Sequence, residues 1–475
     1  MKHKNNRYNS KHNKHNKTNK TNKTNKTNKT NKTNKTNKNK QNKVKGGEVI
    51  ASGGFGCVFS PALLCKHSKT RKQNYISKLM KTKYAMQEYN EIMDLKSILN
   101  KIPHYTNYFM VNDITICQPA KITQTDLKHY KQNCSALPKD DITVQNINNS
   151  IDKLMTVNIP YGGIPIDDYI YNKKNYTNLV SLNKSLIQLL LKGIIPMNQL
   201  HVFHNDIKDS NILVDVANDN SINTRLIDWG LSTHYIPFKN NPLPIQWRDR
   251  PFQYNVPFSI ILFSVYFVHK YTRYLNTNNN PSHKELFDFV DKYIDYWLDK
   301  RGQGHYKLII KILNNLTNTK TAAKDIIINY IVTILLSFTK NAKNTNVNTN
   351  ANANVNKNLR EYLDTVFIHN VDKWGLLTSY YPLLCLLNDN YKRLSDTQIQ
   401  AHDLLKSMFV FLYNTSELLN IHTITEYLYK LNDLLRLENN HVDKDSLKGF
   451  KLTNTSKKIT GKTYEITPSD KSKTK

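Results

Sequence analysis

Acidic residues are missing from the start of this 475-residue chain: none precedes Glu48, while residues 1–45 hold 16 lysines and arginines. About half of the net charge of +31 sits there, and the rest of the chain carries about +15. That balance is basic but ordinary for a protein that handles anionic partners. Cysteines are few, namely Cys57, Cys65, Cys117, Cys134 and Cys385. They form no Cys-x-x-Cys pair and their number is odd, which argues against a disulfide framework or a zinc site and for a reducing compartment. Long apolar runs are absent too: the most lipid-like stretch, Phe258 to Val268, has 11 residues, too few for a bilayer. The N-terminus lacks the apolar core of a signal peptide. These absences lead us to expect a soluble, intracellular protein without a membrane partner.

Hydrophobic residues make up 39% of the chain, enough for a sizeable core. Residues 1–45 stand outside it. From Lys17 the triplet Lys-Thr-Asn repeats to about Asn37, a segment with nothing to bury and therefore expected to be a disordered basic tail. Drift in an AT-rich genome explains the repeat; non-specific attraction to nucleic acid or other polyanions is the functional alternative. With Tyr8 its lone aromatic, base stacking is disfavoured.

Residues 46–60 read as strand, glycine-rich turn, strand, and Tyr75 to Met80 as a short strand. Ala85 to Leu99 has helical periodicity, with Ile92, Leu95 and Leu99 on one face. An apolar strand near residue 154 leads into Pro160-Tyr161-Gly162-Gly163, which has turn chemistry. Leu179 to Leu200 is apolar at helical spacing, followed by a polar loop and strands at Ile212 to Val214 and Thr224 to Ile227. From Pro257 to Phe450 the pattern is mostly helical, interrupted by an Asn-rich stretch, 341–358, expected to be a disordered insertion. Residues 454–475 form a second polar, basic tail. The order is a small strand-rich part, then a larger helical part: an α+β fold.

Phosphoryl transfer requires that a triphosphate be cradled, its charge neutralised, a metal held and the attacking hydroxyl oriented. The chain offers a candidate for each, in order. Ile50-Ala51-Ser52-Gly53-Gly54-Phe55-Gly56-Cys57-Val58 lets backbone N–H groups approach phosphate oxygens, although a glycine-rich hairpin by itself is often just a turn. No Gly-Lys-Ser/Thr follows it, and a strand rather than a helix comes next, so neither a Walker loop nor a dinucleotide fingerprint is indicated. Lys78, flanked by apolar residues in a strand, can point its ammonium into a cleft if a carboxylate orients it. Glu88 and Glu91 on the next helix are the candidates; their spacing does not separate them, and Glu88 is preferred because Glu91 keeps less of the Ala85/Ile92 face. His204-Asn205-Asp206-Ile207-Lys208-Asp209-Ser210-Asn211 places Asp206 to face a hydroxyl nucleophile, Asn211 to reach a metal and Lys208 to reach the transferring phosphoryl group. His204 is expected to hold the loop rather than perform acid–base work. Asp228, in Leu226-Ile227-Asp228-Trp229-Gly230, can chelate Mg²⁺ together with Asn211 and the phosphates.

These four motifs, in this order, resemble the eukaryotic-type Ser/Thr protein kinases over residues 46–270. The resemblance implies a bilobal kinase-like fold at 46–453, with an N-lobe at about 46–158 and a C-lobe at about 164–453. It implies ATP and Mg²⁺ as cofactors, Asp206 as catalytic base, Asn211 and Asp228 as metal ligands, and Lys78 as the phosphate-binding lysine. Lys208 looks like the Ser/Thr-specific branch, so a protein Ser/Thr hydroxyl is the implied acceptor, and Pro160 to Gly163 would belong to the hinge near adenine. Composition and the segment Arg250-Pro251-Phe252-Gln253-Tyr254-Asn255-Val256-Pro257-Phe258-Ser259 are similar to kinases of large DNA viruses, which would put the protein in a host cell or virion.

The chain departs from the family pattern at several points. Ala51 replaces the first loop glycine. Asn205 replaces an arginine that would bind an activation-loop phosphate, so constitutive activity is expected. Trp229 replaces a phenylalanine, and Val256-Pro257-Phe258 stands where Ala-Pro-Glu is usual. The competing readings are a non-catalytic kinase-like scaffold, a small-molecule kinase of the aminoglycoside or choline type, and a basic nucleic-acid-binding protein. Retention of all four motif residues opposes the first, and Lys208 opposes the second.

Overall fold

The computed structural model describes residues 47–172, 178–239, 243–278, 280–317, 322–338 and 351–441. The expected tails at 1–45 and 454–475 lie outside these residues. Strands β1 (Glu48–Ser52), β2 (Gly56–Ser60), β3 (Tyr75–Lys81), β4 (Thr115–Cys117) and β5 (Leu154–Pro160) form one sheet in the order β1-β2-β3-β5-β4. All its pairings are antiparallel, and Lys78 on the central strand stands between Val58 and Val157.

Helix α1 (Thr82–Leu99) follows β3 directly and packs on β5, burying Ala85, Ile92, Leu95 and Leu99. That is the face its periodicity predicts. The other side of the sheet is covered by an excursion between β4 and β5 that contains two short helices, α2 (Tyr130–Asn133) and α3 (Ala136–Lys139). Ile122, Leu127, Tyr130, Leu137 and Ile147 of this excursion pack on Val49, Phe59 and Leu79 of the sheet and on Leu63 of the β2–β3 connection.

Cys57 is disulfide-bonded to Cys134 and Cys65 to Cys117, so the expectation of no disulfide framework is overturned and the expectation of a reducing compartment loses its premise. Spacing had no signal for it, because both bonds join residues more than 50 positions apart that only the packed excursion brings within Cα–Cα distances of 5.3 and 5.8 Å. Cys385 is the one free cysteine among the described residues.

After β5 come β6 (Ile164–Pro165), α4 (Ile166–Tyr171), α5 (Leu179–Gln188), a π-helical stretch and α6 (Ile195–Gln199). The continuous helical run Leu179–Gln199 is long and apolar enough to cross a membrane by length and composition, which corrects the expectation that no segment reaches that size; most of it is buried inside the fold. Short strands β7 (Val202–Phe203), β8 (Ile212–Val216), β9 (Ile222–Leu226) and β10 (Thr233–His234) follow. They frame the polar loop at residues 204–211 and the turn at Asp228.

The remainder is helical: α7 (Val265–Thr277), α8 (His283–Arg301), α9 (Tyr306–Leu316), α10 (Ala323–Phe338), α11 (Ala351–Tyr362), α12 (Ile368–Thr378), α13 (Tyr381–Asp389), α14 (Asp396–Asn414) and α15 (Ile421–His441). Helix α11 begins inside the segment 341–358 expected to be disordered; that expectation is corrected for 351–358, and 339–350 lie outside the described residues. The helical reading to Phe450 likewise runs past the described residues, which end at His441. Helix α12 is buried along its length and carries Asp372, Trp374 and Gly375 into the centre of the helical part.

Candidate active site

A cleft of about 550 Å³ opens between the five-stranded sheet and the loops around β8 and β9. Four of its lining residues are Lys78, Lys208, Asn211 and Asp228. The sheet presents Lys78 because β-strand alternation turns Ser77 and Leu79 into the core and leaves Lys78 on the cleft side.

Of the two glutamates left open by spacing, Lys78 meets Glu88: its Nζ donates to Oε2 at 2.7 Å and to Oε1 at 2.9 Å. Glu91 instead accepts from Gln87 on the exposed face of α1. Asp228 Oδ1 lies 3.8 Å from the same ammonium. Burial pulls the Lys78 pKa down, but the Glu88 and Asp228 carboxylates outweigh it and raise it, so the side chain stays charged.

Asp206 is buried beside the cleft floor. Its Oδ2 accepts from Lys208 Nζ at 2.8 Å and from Asn211 Nδ2 at 3.0 Å. Burial alone would raise its pKa; the charges of Lys208 and Arg250 win and hold it below the ordinary carboxylate range. Asn211 Nδ2 also donates to the Asp206 carbonyl at 2.8 Å. With both amide hydrogens used on Asp206, the Oδ1 of Asn211 is the atom left for a cation. Asp228 has φ of 63°, and this left-handed turn directs the chain from β9 into the short 3₁₀ helix Trp229–Leu231.

The glycine-rich hairpin divides. Ile50, Ala51, Ser52, Gly53 and Val58 line the cleft, whereas Gly54, Phe55, Gly56 and Cys57 do not. Phe55 stacks on Tyr84 at 4.6 Å, and Cys57 turns away into its disulfide. The side chains of Phe55 and Cys57 therefore support the hairpin rather than line the cleft. Gly56 is needed for space, since a Cβ there would meet Leu79 O at 2.5 Å.

His204 holds the loop: its Nε2 lies 3.0 Å from Ile227 O and its ring 4.9 Å from that of Trp229. Asn205, at φ 63°, donates from Nδ2 to Phe203 O and Leu231 O. The following segment is tied down by buried side chains rather than exposed ones. Arg250 Nη1 donates to Asn205 O at 3.0 Å, and Tyr235 Oη donates to the buried Asp364 at 2.6 Å.

Three further groups escaped notice in the sequence. Asn255 Nδ2 donates to Asp206 Oδ1 at 3.0 Å and to Ile207 O at 3.1 Å. It lay within the quoted Arg250–Ser259 segment, but nothing in the chain says that this segment returns to Asp206. Asp372 accepts the backbone N–H of His204 and of Asn205, each at 2.9 Å. Nothing in the chain marked it, since Asp372 stands among His369, Asn370 and Lys373 in a helix of mixed polarity; its burial is what demands a partner. Asp167 and Asp168 on α4 line the cleft opposite the sheet. Burial, then the nearby Asp209 and Asp168, pushes the Asp167 carboxyl up to about 7.

Comparison with known proteins bears on part of the chain. No family model matches it. Over 75 residues it is 33% identical to calcium-dependent protein kinase 4 of Plasmodium berghei (strain Anka), and equally to calcium-dependent protein kinase 4 of Plasmodium falciparum (isolate 3D7). That stretch is 16% of this chain and 14% of each relative, so the chain matches only a small fraction of their length. The similarity relates part of the chain to protein kinases.

Proposed function

We propose that the protein is an ATP-dependent protein kinase that transfers the γ-phosphate to a serine or threonine hydroxyl. The observation that carries this is one cleft lined by the Lys78–Glu88 ion pair, Asp228, Asn211 and Lys208, with Asp206 directly behind it. Its volume falls in the range of nucleotide-sized sites. Ile50, Val58 and Ile159 provide apolar surface for a base, and Lys78 a fixed positive charge for phosphates.

The donor set fits Mg²⁺, a hard cation that takes oxygen ligands and completes its shell with water and phosphates. Asp228 would supply a carboxylate and Asn211 its Oδ1, the one polar atom of that amide not engaged with Asp206. The ion, when bound, neutralises charge on the phosphate oxygens. Asp206 stays ionised at neutral pH and orients the acceptor hydroxyl, taking its proton as the bond to phosphorus forms. Lys208, 2.8 Å from Asp206, keeps positive charge beside the phosphoryl group in transit. Asn255 and Asp372 keep Asp206 and its loop in position.

A protein acceptor is supported by Lys208 and by the similarity to protein kinases. Buried anchoring of the segment after Asp228 supports activity without loop phosphorylation. The test is incubation of the full chain with γ-labelled ATP, Mg²⁺ and generic protein substrates. Label on serine or threonine, lost in an Asp206→Ala variant that melts as a folded protein, supports the proposal. Label on an aminoglycoside or choline, with none on protein, would favour the small-molecule reading.

A further inference from the structure

The excursion between β4 and β5 does more than cover the sheet. Strand β1 is an edge strand, and its open edge is closed by residues 128–136: Val49 N donates to Lys128 O at 3.1 Å and Asn133 Nδ2 to Val49 O at 2.9 Å. Where β1 enters the glycine-rich turn, Ser52 Oγ accepts the backbone N–H groups of both Ser135 and Ala136 at 3.1 Å. The Cys57–Cys134 disulfide lies in the middle of these contacts.

The outcome is a polar rim. Gln132, Asn133 and Ser135 line the same cleft as Ser52 and Gly53. Asn133 and Ser135 spend their side chains on β1, whereas the exposed Gln132 carboxamide forms no hydrogen bond to any described residue. A carboxamide offers two donors and an acceptor, which suits ribose hydroxyls and phosphate oxygens.

We propose that residues 130–136 are a third wall of the nucleotide site, that Gln132 contacts the ribose–phosphate part of the nucleotide, and that the Cys57–Cys134 bond holds this wall in its binding position. The proposal rests on the reading of the cleft as an ATP site. It makes affinity redox-dependent. A dithiol reductant gives two hydrogen atoms to the bond, leaving two cysteine thiols on the protein and closing its own disulfide. The wall then keeps its hydrogen bonds to β1 and the packing of Tyr130 and Ala136 on the sheet but loses its covalent tie, and nucleotide binding must supply the missing order.

The second disulfide supplies the control, because Cys65–Cys117 ties no part of residues 130–136. ATP with Mg²⁺ is titrated calorimetrically into the oxidised full chain as wild type, Cys134→Ser, Cys65→Ser and Gln132→Ala. Cys134→Ser is expected to weaken binding about tenfold, the scale set by lost preorganisation, while Cys65→Ser binds as wild type. Gln132→Ala weakens binding several-fold at an unchanged melting temperature, and it carries the test if Cys134→Ser fails to fold. Dithiothreitol brings the wild type to the Cys134→Ser level and leaves that variant unchanged. Wild-type affinity in both Cys134→Ser and Gln132→Ala, or equal losses in Cys134→Ser and Cys65→Ser, overturns the wall while leaving the ATP site standing. An oxidised wild type that binds no ATP overturns the ATP reading and the wall with it.

Discussion

Asp372 Oδ2 accepts the backbone N–H of His204 at 2.9 Å across 168 residues of chain. Its second oxygen takes the next N–H, from Asn205, so one buried carboxylate fixes two consecutive peptide groups immediately before Asp206. Asparagine at 372 keeps the volume but turns an N–H₂ group toward one of these donors. We expect Asp372→Asn to cost about 1–3 kcal/mol of stability, the usual penalty for an unsatisfied buried donor. The turnover number should fall at least about tenfold, since each 1.36 kcal/mol of lost transition-state stabilisation is tenfold in rate, with ATP affinity unchanged. Urea unfolding and steady-state kinetics check both.

One helical turn later, Gly375 lies against the same loop. A Cβ there would meet Ile207 O at 2.5 Å and Ile207 Cβ at 2.8 Å, and Ile207 is the residue after Asp206. Gly375→Ala must displace either the helix or the loop, and backbone on both sides leaves no flexible chain end to yield. The expected cost is about 1–3 kcal/mol, with a turnover defect at temperatures where the variant is fully folded. Thermal melts paired with rate measurements test it, and an active variant of wild-type stability would contradict the packing.

Asn255 bridges Asp206 Oδ1 and the Ile207 carbonyl. Alanine there frees one carboxylate oxygen to turn without touching the nucleotide side of the cleft. About tenfold loss of turnover is expected, the equivalent of one hydrogen bond to a charged group. The Michaelis constant for ATP should stay at the wild-type value; a change in it would assign Asn255 a different role.

The raised carboxyl of Asp167 gives a pH signature. Its folded value of about 7 lies above its ordinary 3.8. Below pH 4 both folded and unfolded chains hold the proton. As pH rises toward 7 the unfolded chain releases it and the folded chain does not, so stability falls over that window and levels off above it. Asp167→Asn removes this loss. Its melting temperature should exceed the wild-type value by more at pH 8 than at pH 4.5, and a gap equal at both values would contradict the burial argument.

Much of the strand-rich part was legible because local rules govern it. Alternation exposed Lys78, the 3.6 period placed Ile92 and Leu95 on the core face of α1, and the polar loop after an apolar helix marked Asp206 and Asn211. What escaped was non-local. No spacing rule joins Cys57 to Cys134 or Asn255 to Asp206, because each pairing depends on where a long connection returns. Helix α11 was missed from Ala351 because Asn and Ala alternate there without an apolar stripe. Glu88 was separable from Glu91 only by which face of α1 turns toward β3. Of the glycine-rich segment, composition marked the hairpin, but the stacking of Phe55 on Tyr84 and the disulfide of Cys57 depend on distant parts of the chain.

Phosphoryl transfer as proposed requires Lys78 and Asp228, 3.8 Å apart, to share one cleft with Asn211 and Lys208. The most direct test is the initial rate of γ-phosphate transfer to protein substrate, with Mg²⁺, by wild type, Lys78→Met and Asp228→Ala. The predicted result is measurable transfer by the wild type and a loss on the order of 10²-fold or more in each variant, as expected when a preorganised charge is removed from a transition state. Equal rates in all three, or no transfer by a folded wild type that also fails to bind ATP, would contradict it.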